Sequence, residues 1–169
     1  MLFDAMIVID LHRSEQWSDV VSQLDVTIPS VVVDESKYED VDPGGFPLRI
    51  NIQEDIDSGR VKVESASMSE LKATESQFAD WFWEKLGAGE REALSLMRTC
   101  RCADVQLCSS DGLAIQGAVM LGFRDRCICL SQVLRSIGMT ISHGKYSEDF
   151  LRNALKVGGE KLIRGYGLR

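Results

Sequence analysis

The sequence predicts an α+β fold, a mainly antiparallel sheet with helices packed on one face. Three observations predict it. Leu48, Ile50 and Ile52 alternate with Arg49, Asn51 and Gln53, Val61 and Val63 alternate with Lys62 and Glu64, and Asp57-Ser58-Gly59 lies between as a turn. A second hairpin is expected over 103–123, turning at Ser109-Ser110-Asp111-Gly112. Apolar residues recur at helical spacing around Trp17, Phe78 and Phe150. The resulting order of strands and helices resembles a split βαβ (ferredoxin-like) core with C-terminal additions.

Each element has a local reason. Ala5–Leu11 is a continuous apolar run, read as a buried strand. Ser14 is read as the cap of a helix carrying Trp17, Val20, Val21 and Leu24 on one face. Val26–Val33 is β-branched but broken by Pro29, which demotes it to an edge strand. Thr74-Glu75-Ser76-Gln77 fits a capping box before Phe78, Trp81, Phe82 and Leu86, with Gly87 as the stop. Glu90–Met97 resumes helical spacing, and Cys127–Leu130 reads as a short strand. Ser131 starts a short helix ended by Gly138, and Ser147 caps a last one through Leu162.

A chain of 169 residues fits one domain, 1–169, large enough to bury a core without disulfide or metal. Its five cysteines are an odd number, which suits a reducing compartment. No apolar run approaches the length of a membrane span, and Asp4 and Asp10 interrupt the N-terminal apolar stretch, so a cytoplasmic protein is expected.

The net charge of −7 is unevenly spread. Residues 1–122 carry 22 acids and 10 bases, a net of −12, whereas 123–169 carry 4 acids and 9 bases, a net of +5. The acidic part repels nucleic acid and attracts basic partners, so nucleic acid is disfavoured as a ligand.

Motifs for chemistry are sparse. Cys100-x-Cys102 and Cys127-x-Cys129 are too tightly spaced for a zinc knuckle, and they read as small buried residues. His12 and His143 read as turn or surface residues. Gly144-Lys145 lacks the upstream glycine of a phosphate loop, and the sequence motifs of zinc proteases, serine hydrolases and calcium loops are missing. No metal, cofactor or catalytic residue is expected.

The acidic segment from Asp34 to Asp57 stands out. Asp34, Glu35, Glu39, Asp40, Asp42, Glu54, Asp55 and Asp57 surround Tyr38 and Phe46, an aromatic pair inside a charged rim. These ten residues are the expected binding surface for a basic protein. The concrete version is an inhibitor of bacterial immunity or antitoxin type that masks a nuclease-like toxin. The alternative is a small enzyme with a Cys/His or carboxylate site in the C-terminal half. On the first expectation, reversing Glu39, Asp40 and Asp42 to Lys slows association and weakens binding, read by surface plasmon resonance. Unchanged affinity and salt dependence rule the segment out as the interface.

Overall fold

The computed structural model describes residues 1–35, 40–41, 47–48, 50–99, 101–102, 104–141 and 144–169. In chain order the elements begin β1 (Leu2–Phe3), α1 (Ala5–Arg13), α2 (Trp17–Gln23), β2 (Val26–Pro29) and α3 (Ser30–Glu35). A separate antiparallel pair, β3 (Asp40–Val41) and β4 (Pro47–Leu48), follows. Then come α4 (Gln53–Asp57), β5 (Val61–Glu64), α5 (Met68–Glu75), α6 (Asp80–Trp83) and α7 (Ala88–Arg98). The last are β6 (Leu107–Cys108), α8 (Gly112–Met120), β7 (Cys127–Ile128), α9 (Leu130–Ser136) and α10 (Glu148–Arg164).

Five strands form the main sheet in the order β5-β2-β1-β6-β7, and every neighbouring pair is parallel. The expected mainly antiparallel sheet with a ferredoxin-like core is therefore wrong. Both faces of the sheet are covered. Phe3, Ile28 and Cys108 pack with Ile7, Leu11, Trp17, Val20, Val133 and Leu134 on one side. Leu2, Leu107 and Cys127 pack with Leu94, Met97, Ile115, Ala118, Leu151 and Ala154 on the other. Successive residues of β1 and of β6 thus enter opposite cores, as pleated backbone requires.

The individual corrections have physical causes. Strands buried on both faces show apolar runs rather than alternation, and β1, β6 and β7 are only two residues long. Ala5–Leu11 is helical because Asp4 caps it, its carboxylate accepting the Ile7 N–H at 2.8 Å. The first hairpin does not exist. Gln53–Asp57 is a helix, and Val61–Glu64 alternates because β5 is the sheet edge, lying parallel to β2. β2 is not an edge strand. Its Pro29 sits at the last paired position, where a missing N–H costs least. The second hairpin is β6 followed by α8, with Asp111 capping Leu113 and Ala114. The capping box falls at Ser67 and Glu70, and Gly87 starts α7 rather than ending a helix.

Helices α8 and α10 are packed at backbone contact. A Cβ on Gly158 would lie 2.9 Å from Val119 Cβ and 3.0 Å from Gln116 Cα. Gly158→Ala should therefore destabilise the chain by about 1–3 kcal/mol in urea unfolding, because overpacking outweighs the gain of about 1 kcal/mol in helix propensity. A more stable variant would mean that the helices stand further apart.

Candidate functional site: an acidic crevice at the carboxyl edge of the sheet

Open parallel sheets bind ligands outside the carboxyl ends of their strands, where the strand order reverses. Here the chain leaves β1 for β2 and β5 on one side, then returns to β6 and β7 on the other. The reversal lies between β1 and β6. Asp4 follows β1 and Ser109 follows β6, so both stand at that point.

Asp4 is buried and links the two strand ends. One carboxylate oxygen caps α1, and the other accepts the Ser110 N–H at 3.2 Å. Burial pushes its carboxyl up to about 6; bonds from Ser109, Ile7 and Ser110 pull it down, and repulsion from Glu90 adds to the rise. Glu90 lies in the first turn of α7 and is half-buried. It also repels Glu35, at the end of α3, whose carboxyl is raised by burial, then by Glu90 and Glu92, against a bond from the Gly89 N–H. Asp111, exposed at the start of α8, is on the same strand-to-helix turn as Ser109 and Ser110. Asp4 and Glu35 thus each lie within reach of the Glu90 charge, and Asp111 caps α8 on the turn after β6. Among the described residues, no three Asp, Glu, His or Cys side chains converge as a ready metal cage.

An open cavity of about 590 Å³ is lined by Ser131, Arg135, Gly144, Ser147, Glu148, Asp149 and Arg152 among others. The starts of α8 and α10 adjoin there, since a Cβ on Gly112 would touch Phe150 at 3.8 Å. Asp10, on α1, ties the segment before α10 to the sheet. It accepts bonds from Tyr146, from Lys145 at 2.9 Å and from Arg13 at 2.8 Å. Burial opposes ionisation of Asp10, yet these donors hold its carboxyl below the ordinary value.

The residues expected from sequence are distributed differently. Glu35 belongs to the crevice. Asp34, Glu54 and Asp57 are exposed, on α3 and α4. Asp55 is an internal residue rather than a surface anchor, accepting the Trp17 indole N–H at 2.7 Å and pairing with Arg60 at 2.7 Å. Asp40 is in β3, where only the backbone is described, and Tyr38, Glu39, Asp42 and Phe46 lie outside the described residues. So do Cys100 and His143. His12 stacks on Trp17 at 4.9 Å, and burial lowers it to about 4 against the pull of Asp55. Cys102, Cys108, Cys127 and Cys129 are buried, and burial raises the thiols of Cys102, Cys108 and Cys127, the last to about 12. That environment opposes a nucleophilic thiolate at those three positions.

Sequence reasoning missed Asp4, Glu90 and Asp111. The available signal was position: an acid directly after a short apolar run and directly before a helix. Asp4 sits so, between β1 and α1.

The fold and its crevice define a class: a three-layered protein with a parallel sheet and an acidic switch point. No family model, curated protein or solved structure matches the chain.

Asp4 also makes stability depend on pH. Its folded pKa is above its unfolded one, so the folded state holds the proton longer, and stability falls as pH rises from 3.8 to about 6. The ionised form costs about 3 kcal/mol at neutral pH, since each tenfold change in proton affinity is worth about 1.4 kcal/mol. Asp4→Asn keeps the α1 cap but loses the Ser110 bond, worth about 1 kcal/mol. It should therefore stabilise the chain by about 1–2 kcal/mol at neutral pH and by nothing near pH 4, in urea titrations at both pH values. A loss at neutral pH would place the Asp4 charge in a solvated or neutralised setting.

Proposed function

We propose that the chain is a divalent-cation-dependent phosphodiester hydrolase, with Asp4, Glu35, Glu90 and Asp111 as its acidic rim. The observation that supports this reading is that burial, then repulsion from Glu90, disfavours the charged forms of both Asp4 and Glu35. Carboxylates held together at a cost to stability are common where function requires them. A divalent cation is the partner that relieves that repulsion without protonating the acids. Mg²⁺ and Mn²⁺ are typically held by one or two carboxylates, several waters and the phosphate of the substrate.

The cation would polarise a phosphoryl oxygen and make a bound water acidic enough to attack at neutral pH. The residues have separate tasks. Asp4, rigid between α1 and the Ser110 N–H, is the fixed ligand. Glu35 and Glu90 are the adjustable ones, set on two different helices. Water adds to phosphorus, one P–O bond breaks, and the products are a phosphomonoester and an alcohol. The enzymatic alternative thus moves from the C-terminal half to the sheet edge. A cytoplasmic setting accords with the free thiols of Cys102, Cys108, Cys127 and Cys129.

Docking of a basic protein stays as a second proposal, favoured by the exposure of Asp34, Glu54 and Asp57. A pull-down from lysate that returns one salt-sensitive basic protein would strengthen it.

The decisive assay incubates end-labelled single-stranded RNA and DNA, bis(p-nitrophenyl) phosphate and p-nitrophenyl phosphate with the chain and Mg²⁺, Mn²⁺ or EDTA. Diesters should be cut with either cation and spared with EDTA, and Asp4→Asn should lower the rate by about 100-fold or more. No diester cleavage with either cation overturns the reading.

A further inference from the structure

We propose that the end of α10 is a docking surface for an acidic protein segment that carries one apolar anchor residue. Leu162, Ile163 and Tyr166 form its centre, and Lys85, Lys156, Lys161 and Arg164 form its rim. The 17 residues of α10 span about 25 Å, so its end stands that far from the sheet edge where it starts. The surface owes nothing to the cation reading of that edge.

The apolar centre is held in place by the backbone. Gly165 takes the left-handed conformation that ends α10, at φ 62°, and the Tyr166 N–H returns to the Lys161 carbonyl at 2.9 Å. That turn lays the Tyr166 ring against Trp81 of α6 at 4.9 Å. The following residues are fastened as well. The Ala79 N–H donates to the Gly167 carbonyl at 2.9 Å, and the Arg169 N–H to that of Gln77 at 3.1 Å. Yet Ile163 is 87% exposed, Tyr166 59% and Leu162 41%. Among the described residues only five large apolar side chains are exposed, and these three fall within five positions of one another. The core of this chain does not account for them. Isoleucine also favours a helix less than lysine or glutamate would. Clustered exposed apolar groups inside a polar rim mark a site of protein interaction.

Charge selects the occupant. Residues 156–164 hold Lys156, Lys161 and Arg164 against Glu160 alone. Lys85 joins them, since its ammonium and that of Lys161 lie 5.4 and 5.9 Å from the centre of the Trp81 ring. Among the described residues none of these four cations pairs with a carboxylate. Lys161 donates instead to neutral Gln116 at 2.7 Å, and burial, then repulsion from Lys85, lowers its pKa. A carboxylate brought to this rim relieves that repulsion. At physiological salt, charges more than about 8 Å away are largely screened, so these cations outweigh the net −7 of the whole chain.

Shape selects a protein over other anions. Beside Tyr166 is a mainly apolar cavity of about 270 Å³, lined by Val157, Glu160, Lys161 and Arg164. That is smaller than the roughly 300–1,000 Å³ of small-molecule sites and fits a single side chain. The Trp81 ring already has Tyr166 and two lysines against it, which leaves little for a nucleic-acid base to stack on. An apolar anchor in the cavity, flanked by acids against Lys85 and Arg164, matches the centre and rim of a protein interface.

The test is panning of phage-displayed random dodecapeptides on the wild-type chain. Enriched peptides are then titrated, by fluorescence anisotropy, against the wild type, Ile163→Ser and the double variant Lys85→Glu/Arg164→Glu. The library should yield acidic peptides with a central apolar residue. Ile163→Ser should weaken their binding about 30-fold, as loss of an anchor contact does, and the double reversal about tenfold, with slower association. Both variants should melt like the wild type, because all three side chains are exposed. The proposal is overturned by no enrichment, by enrichment of basic peptides alone, or by acidic peptides that bind both variants as tightly as the wild type. Phosphatidylserine vesicles and oligo(dU) are run beside the peptides. If either binds, both variants abolish that binding and no acidic peptide is enriched, the surface meets a membrane or a phosphate strand, and the assignment of a protein partner fails.

Discussion

The charge of Asp4 is the constraint on which the carboxyl edge depends. One side chain ends β1, begins α1 and holds the turn after β6, all through its two oxygens. Asparagine could cap the helix without a buried negative charge. An aspartate here imposes a penalty that capping does not explain, and Glu90 increases it. Most other acids of the interior are neutralised locally. Asp55 has Trp17 and Arg60, Asp10 has Lys145, Arg13 and Tyr146, and Glu92 has four donors. Among the described residues Asp4, like Glu92, is met by uncharged donors, whereas Asp10 and Asp55 each pair with a cation.

The helices were more legible than the sheet. Trp17–Gln23, Ala88–Arg98 and Glu148–Arg164 carry one-sided apolar stripes, and all three are helices where the spacing places them. A strand of two residues leaves no period to read. Leu2-Phe3 and Leu107-Cys108 are indistinguishable from any apolar pair until the sheet is assembled. The alternation of Val61–Glu64 was genuine but ambiguous, since an exposed edge of a parallel sheet alternates as an antiparallel strand does. Residues 48–53 alternate in sequence for another reason. Ile50 and Ile52 are buried in the approach to α4, not in a strand.

The site was legible only in part, because its residues come from separate places in the chain: the turn after β1, the end of α3, the start of α7 and the turn after β6. Glu35 drew attention as part of an acidic segment, although its place depends on Gly89 and Glu92 some 55 residues away in sequence. Ser109-Ser110-Asp111-Gly112 reads equally well as a hairpin turn or as a helix cap. Turn residues and cap residues are the same types, since both use short polar side chains to satisfy backbone N–H groups. Only the element that follows decides between them, and the nine-residue α8 settles it.

The lopsided charge takes on a different meaning in the fold. Part of the basic C-terminal charge is used internally. Arg126 binds the carbonyls of Cys102 and Val105, Arg124 that of Leu155, Arg135 pairs with Glu148, and Lys161 reaches Gln116 while lying over Phe82. Arg124, Arg126 and Lys161 fasten this part to the rest of the chain, while Arg135, Arg152, Lys156 and Arg164 stay exposed. A polyanion would therefore meet a protein that is negative overall and negative at the crevice. Repulsion of that kind excludes unassisted binding of a phosphate strand, since affinity for nucleic acid comes chiefly from neutralised phosphates. A divalent cation reverses the sign at one point only. It would recruit the phosphate and place it against Asp4 in the same event, so that the acidic surface elsewhere limits productive binding to that point.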